Sequence, residues 1–280
     1  MNDLLNRARQ WGREAGLQLL QWHGRAATEE KSDGSVVTEA DRAVDAFISG
    51  QIRACFPDHA VLSEEGATTY DGQPFTWVID PLDGTNNYAL GVRYWGCSIG
   101  VLAAGVPVVG VLVMPGLEAE FWAVRGQGAF LNGVRLGDLP GVVSERNSFV
   151  ALCSRSWRYL EVSLPQKPRI LGSAAYDLAA VAQGIAVASI QIAPHIWDLA
   201  AGWLLVQEAG RWCGPLLPNA PDPFPLVAGD DYAGRFFPTA AAATQEMLNA
   251  VQNGVHVKLS ATARLGRWAV AGWRVGQEVL

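Results

Sequence analysis

The sequence predicts a mixed α/β protein, and three observations carry that prediction. Apolar residues recur at helical spacing twice before any strand signal. A glycine-punctuated series of short apolar runs follows, and the second half then alternates strand-like and helix-like segments. The 280 residues are 50% apolar and 17% charged, which supplies a buried core and lies far from a disordered composition. At this length the chain forms either one large α/β unit or two closely packed lobes.

Each element has a local reason. Leu4, Ala8, Trp11, Ala15, Leu19 and Trp22 recur at intervals of three and four, with Arg7, Arg9, Arg13 and Glu14 on the other side, which predicts an amphipathic helix. A polar link over residues 28–35 leads to Thr38. Asp41 stands three residues on, ahead of Val44, Phe47, Ile48 and Ile52, so a second helix with a capping-type start is predicted and two helices precede any strand. Residues 75–79, 98–103, 106–114, 120–124 and 129–131 read as strands of a largely antiparallel sheet, the last ending in the turn pair Asn132-Gly133. Strands are then predicted over 149–153, 169–171 and 187–193. An alanine-rich helix is predicted from Ala174, and another over 198–209, closed by Gly210. Residues 255–280 carry four basic side chains among apolar ones and read as a terminal packing or contact element.

Composition also excludes function classes. With 21 Lys+Arg against 27 Asp+Glu the net charge is −6, which argues against a general nucleic-acid binder. Cys55, Cys97, Cys153 and Cys213 lie far apart without a CxxC pair, so no structural zinc or redox dithiol is expected; they read as reduced core thiols in a cytoplasmic protein. The first ten residues mix charges and lack a secretory apolar region, so no export is expected. The most apolar stretches are 174–190, broken by Asp177 and Gln183, and 106–117, broken by Pro107, Gly110, Pro115 and Gly116. Neither gives the roughly 18 unbroken residues of a membrane span.

The chemistry concentrates in Trp77-Val-Ile-Asp80-Pro-Leu-Asp83-Gly-Thr85. An apolar strand delivers Asp80 at its end. Pro81 removes a backbone donor, so the chain is expected to turn there, and Asp83 comes back toward the same point. Gly84 permits close backbone approach, and Thr85 adds a hydroxyl at a helix start. Two carboxylates around a tight turn, followed by amide donors, suit a divalent ion with a phosphate beside it. Asp and Gly are favoured in such a turn for geometry alone, and the adjacent acids Glu64-Glu65 could equally be a solvated loop.

The order Lys31, Thr38, Asp41, then Glu64-Glu65, Asp80-Pro-Leu-Asp-Gly-Thr85, Gly172-Ser-Ala174 and Trp197-Asp-Leu-Ala-Ala-Gly202 resembles the inositol monophosphatase family of Mg²⁺-dependent, lithium-sensitive phosphatases. The resemblance implies a layered α/β (α+β) sandwich of the inositol monophosphatase/fructose-1,6-bisphosphatase type. It divides into an N-terminal lobe over 1–135 with most metal ligands and a C-terminal lobe over 136–280 that brings in Asp198. It assigns Glu64, Asp80 and the Leu82 carbonyl to a first metal and Asp80, Asp83 and Asp198 to a second. A third, weaker ion leans on Glu65. Thr85, assisted by Asp41, would help Glu64 activate water. Asp83, Gly84, Thr85, Gly172, Ser173, Ala174, Gln191 and Asp198 would meet the substrate. Two to three Mg²⁺ ions are implied, with Mn²⁺ as a substitute. Homodimers are common in the family, and the sequence marks no interface.

Physical chemistry agrees with the ligand set. Like charges about 4 Å apart repel by roughly 1 kcal/mol in water and about 4 kcal/mol at an effective dielectric of about 20, so clustered acids are stable only when protonated or metal-bound. Hard oxygen donors select Mg²⁺ or Mn²⁺. Several residues keep two readings. Asp41 is a cap partner or a relay, Asp198 is favoured near a helix start in any case, Trp197 reads as packing, and Lys31 is a loop charge or an aid to the third ion. His195 lies close to Asp198, and the implied mechanism does not need it.

Gln191 departs from the family pattern, because animal inositol monophosphatases have at this position a glutamate that hydrogen-bonds the inositol ring. A glutamine still donates and accepts, so a polyol remains compatible. The expected activity is hydrolysis of a small phosphate ester, foremost inositol monophosphate or a similar polyol or sugar phosphate. The alternatives are fructose 1,6-bisphosphate, histidinol phosphate or 3′-phosphoadenosine 5′-phosphate, and, in another class, a non-catalytic regulatory protein derived from the family.

Overall fold

Helix α1 (Asn2–Trp22) buries Leu4, Leu5, Ala8, Trp11, Ala15 and Leu19 along one face, as their spacing requires. The computed structural model describes residues 1–24, 28–30, 36–138, 148–216, 222–233 and 235–257. Within the predicted polar link, β1 (Thr28–Glu30) pairs antiparallel with β2 (Val36–Thr38), so a strand pair stands between the first two helices. Three residues are too few to show a period, which is why the sequence expectation of two helices before any strand missed it. In α2 (Glu39–Cys55) the Thr38 hydroxyl accepts from the Asp41 amide while the Asp41 carboxylate accepts from the Thr38 amide, the predicted capping arrangement.

A seven-stranded sheet follows: β3 (Ala60–Ser63), β4 (Phe75–Asp83), then after the short helix α3 (Thr85–Ala89) β5 (Gly96–Ala103), β6 (Val106–Met114), β7 (Ala119–Val124), β8 (Gly128–Leu131) and β9 (Val134–Arg135). The strands lie in chain order and are antiparallel, except that β3 runs parallel to β4. One expectation is corrected here. The chain does not leave the ladder at Pro81: β4 continues to Asp83, which pairs with Gly96, and the register shifts between Asp80 and Asp83. Pro81 has no amide to give and is tolerated because it sits in that irregularity.

The second half contributes β10 (Phe149–Leu152), α4 (Ser154–Tyr159), β11 (Leu160–Val162), β12 (Lys167–Arg169), α5 (Ala174–Gln183), β13 (Ala186–Gln191), α6 (Ile196–Glu208), β14 (Trp212–Pro215), β15 (Thr239–Ala242), α7 (Gln245–Gly254) and β16 (Val255–Val257). Five of these strands form a second sheet in the order β12-β10-β13-β15-β14, while β11 pairs with β16. Residues 255–257 thus close a small strand pair, and 258–280 lie outside the described residues. The layers run α1 and α2, large sheet, α5 and α6, second sheet, α7. This is the layered α/β sandwich that the sequence leads one to expect. Among the described residues no helix is long and apolar enough to cross a membrane.

Of the four cysteines, all with free thiols, only Cys97 is a buried core residue; Cys55 is exposed and Cys153 and Cys213 are partly covered, correcting the reading of all four as core thiols. Cys55 ends α2 away from the core, and the Cys153 sulfur accepts from the Ser156 amide at the start of α4.

Helix α6 seats directly on the large sheet because β5 and β6 offer glycines beneath it. A Cβ on Gly100 would lie 2.6 Å from the Ala200 Cβ, and one on Gly110 would lie 2.8 Å from the Ala201 carbonyl oxygen. On the opposite face Arg9 and Arg13 of α1 both grip the Glu120 carboxylate, at 3.0 and 2.7 Å. Burial works to raise the Glu120 pKa, but the hydrogen bonds and charges of the two arginines outweigh it and leave the group below the usual range.

Gly110→Ala should cost about 1–3 kcal/mol in urea unfolding, since backbone must move to admit the carbon. Gly50→Ala, whose added carbon meets nothing within 4 Å, should leave the midpoint unchanged or raise it. Glu120→Gln should cost about 1 kcal/mol at pH 7. Because the folded-state pKa is depressed, that difference is fully present above the unfolded carboxylate pKa of about 4.3 and shrinks as pH falls through the folded value.

Candidate metal and phosphate site

The irregular end of β4 aims its acids to one side. The Leu82 amide donates to Asp80 Oδ1 at 3.0 Å, which fixes that carboxylate in the bend, and Asp83 follows at the strand end. Gly84 then adopts a left-handed conformation with φ 85°, and a Cβ there would lie 2.6 Å from the Tyr94 carbonyl oxygen. The close approach that the sequence reading asked of this glycine is therefore real, and Thr85 opens α3 beside it.

Helix starts hold the remaining acids. Asp83 accepts from the Ser173 hydroxyl and from the Ala174 and Ala175 amides, at 3.1 and 3.0 Å, so it caps the beginning of α5. Asp198 sits in the first turn of α6 and accepts from the His195 amide at 2.7 Å through Oδ2. These contacts bring carboxylate oxygens of Asp80, Asp83 and Asp198 within 4.8 Å of one another, across two halves of the chain. Glu64, on the loop after β3, lines the same cavity, as do Leu82, Gly84 and Thr85. Glu65, next along the loop, is half-buried and its charge acts on Asp41.

Asp41 is buried in the first turn of α2, where the Thr38 amide and hydroxyl both donate to its Oδ2. Its Oδ1 is left facing Thr85, whose hydroxyl lies 3.2 Å away and also 2.9 Å from the Leu82 carbonyl oxygen. A hydroxyl has one proton, so Thr85 Oγ1 can donate to only one of these acceptors at a time. Asp41 is thus both the cap partner and the neighbour of Thr85, and its two readings are compatible.

The electrostatics are those of a site awaiting positive charge. Burial pushes the Asp80 carboxyl well above its ordinary range, and the charges of Glu64, Asp83, Asp198 and Asp41 push it further. Asp198 is raised well above its usual value by burial, then by Asp83 and Glu64. Burial also raises Asp83, against the hydrogen bonds from Ser173 and the α5 amides, and Asp41, against those from Thr38. The donor set is all oxygen and anionic, which fits a hard divalent ion.

A second cavity of about 230 Å³ adjoins the first, and Asp83, Arg155, Gly172, Ala193 and Asp198 line both. Gln191, Ser173 and Ala174 line the second. Ser173 and Ala174, expected to meet substrate, spend their hydroxyl and amide on Asp83 in this structure. Gly172 has φ 80° and packs on Asn87, whose amide nitrogen bridges the Tyr94 and Leu171 carbonyls at 2.7 Å each. Trp197 is buried and stacks on His195 with ring centroids 4.8 Å apart, and both line the first cavity. Lys31 lies outside the described residues.

Three residues of the site escape the sequence reading. Asn87 ties the two halves together, Arg155 stands on the wall between the cavities with its guanidinium carbon 5.6 Å from the Phe236 ring centre, and Asp177 is buried on the floor of the second cavity. Only Asp177 left a signal, as a lone acid interrupting the apolar run of α5.

Known proteins match this arrangement over most of its length. The model of the inositol monophosphatase family matches residues 1–252. Nus factor SuhB of Escherichia coli (strain K12) is 37% identical over 224 residues, 75% of this chain and 84% of its own. The fructose-1,6-bisphosphatase/inositol-1-monophosphatase of Aquifex aeolicus is 31% identical over 195 residues, 65% of this chain and 73% of its own. Among solved structures, the Thermotoga maritima IMPase superposes with a TM-score of 0.72 at 26% identity, covering 90% of this chain and 97% of that one. The sequence match, the shared layers and the acids gathered at the strand end agree, and the chain belongs to the inositol monophosphatase family.

Proposed function

We propose that this chain is a Mg²⁺-dependent phosphomonoesterase that hydrolyses a small polyol or sugar phosphate, with inositol monophosphate as the foremost substrate. The observation that carries the reading is the convergence of Asp80, Asp83 and Asp198, with oxygens within 4.8 Å, beside the Thr85 hydroxyl and a second cavity large enough for the rest of an ester. Glu64, Asp80 and the Leu82 carbonyl would hold one ion, Asp80, Asp83 and Asp198 a second, and Glu65 would serve a third. Divalent ions bound there supply charge for the phosphoryl oxygens and lower the pKa of an attacking water.

The chain's own residues do the rest. Gly84 and Thr85 lie at the start of α3, where backbone amides can receive phosphate oxygens. Thr85 Oγ1 takes a proton from the attacking water as its own passes to Asp41 Oδ1, and the Thr38 cap keeps Asp41 Oδ1 facing it. Gly172, Ala174 and Gln191 line the cavity that would receive the leaving alcohol, next to Asp83 and Asp198.

A second reading draws on the SuhB relatives, whose name denotes a Nus factor: the chain would then act through macromolecular contacts whether or not it turns over an ester. The complete acid set favours the enzyme. Hydrolysis of inositol 1-phosphate with Mg²⁺, measured as phosphate release, tests it. Asp80→Asn should lower the rate at least about 100-fold, since a carboxylate that would hold both ions is lost. Absence of phosphate release from a broad ester panel with Mg²⁺ or Mn²⁺ would leave the regulatory reading in its place. Millimolar Li⁺ should slow the wild-type reaction.

A further inference from the structure

The lining of the second cavity holds a buried polar pair, one member of which, Asp177, also stands in the first turn of α5. Gln191 at the end of β13 and Asp177 in α5 are both buried, 2% and 1% exposed, and both line the cavity beside the acid cluster. The Gln191 amide nitrogen donates to Asp177 Oδ2 at 2.7 Å and to Ser189 Oγ at 3.2 Å. A primary amide carries two N–H donors, so both are spent within the protein, and the carbonyl oxygen is what Gln191 has left for a ligand.

Asp177 is costly where it stands. Its neighbours Leu178, Ala179, Ala180 and Val181 are apolar and fully buried, and its Oδ1 is buried with no hydrogen-bond partner. A position that served packing alone would carry an apolar side chain like theirs. Removing Asp177 would release the Gln191 amide to turn over and offer the cavity a donor in place of the carbonyl oxygen.

We propose that Asp177 is a specificity-determining residue acting through Gln191: it fixes the amide so that the cavity accepts a hydrogen bond from a leaving group carrying a hydroxyl at that point. This rests on the phosphatase reading and narrows its substrate to hydroxyl-bearing alcohols. Burial pushes the Asp177 carboxyl well above its ordinary range, against the Gln191 hydrogen bond. In the neutral form a proton on Oδ1 leaves Oδ2 accepting as before, so the pair keeps its direction in either charge state.

The test compares inositol 1-phosphate with phenyl phosphate, whose leaving group has no further hydroxyl, using full-length protein and Mg²⁺. Asp177→Leu should raise KM for inositol 1-phosphate tenfold or more with kcat within twofold, and leave both constants for phenyl phosphate unchanged. Asp177→Asn can still turn an oxygen to the Gln191 amide and should keep KM within threefold. Gln191→Leu removes the acceptor and should raise KM for inositol 1-phosphate about as far as Asp177→Leu does, and Asp177→Asn combined with Gln191→Leu should raise it no further than Gln191→Leu alone. If Asp177→Leu does not fold, the last two variants measure the same coupling, and additive losses overturn the proposal. Equal effects on both esters also overturn it, as would a wild-type preference for phenyl phosphate, while the phosphatase reading survives. A wild-type protein that hydrolyses neither ester overturns both.

Discussion

Everything in this molecule answers to one electrostatic constraint: buried carboxylates must be held within a few ångströms of one another although each repels the rest. Asp80, Asp83 and Asp198 meet this condition through backbone donors. Asp80 is fixed by the Leu82 amide, Asp83 by the first amides of α5, and Asp198 by the amide preceding α6. Asp41 is fixed the same way at the start of α2. The positive ends of three helices, α2, α5 and α6, therefore carry or cap the acids of one site, which offsets part of their mutual repulsion before any cation binds.

The arrangement explains why the layers are where they are. Asp198 reaches Asp80 because α6 lies close on the large sheet, and it lies close because Gly100 and Gly110 present no side chain beneath Ala200 and Ala201. Asp83 reaches the start of α5 because β4 runs past Pro81 across a register shift rather than ending there. Asn87 holds the loops before Gly172 and after Arg93 at fixed distance by bridging the Leu171 and Tyr94 carbonyls. Small residues and one amide side chain thus set the spacing of the charged ones. None of the three ionises, and the acids depend on all of them.

Much of this was legible in the sequence, for identifiable reasons. The long amphipathic helices, the glycine-broken strands and the Thr38 cap follow local rules, and the structure has them. The acids at the β4 end were legible through their order with Glu64-Glu65, Gly172-Ser-Ala174 and Trp197-Asp198, since such a turn alone is an ordinary loop signal. What local rules miss is what depends on distant partners. The strand pair β1–β2 is too short to show a period, Asn87 and Arg155 look like ordinary loop and surface residues, and the bulge at Pro81 exists only because β5 continues beside it. Asp41 and Asp198 were ambiguous because capping and chemistry ask for the same residue at the same place, and here each side chain caps a helix while lying beside the acid cluster or Thr85.

Asp177 makes the same point for specificity. Read along the chain it is one polar break in an apolar helix, and nothing nearby says what it meets. Only the packing of α5 on β13 sets it against Gln191, fourteen residues on, at 2.7 Å. The net charge of −6 argued against nucleic acid as a partner, yet what governs the site is where single charges lie: a tight group of acids that calls for cations, and one isolated acid that turns an amide. The first acts through charge and can take any phosphate ester that fits. The second acts through hydrogen-bond direction, and direction is what separates one alcohol from another once the phosphate is held.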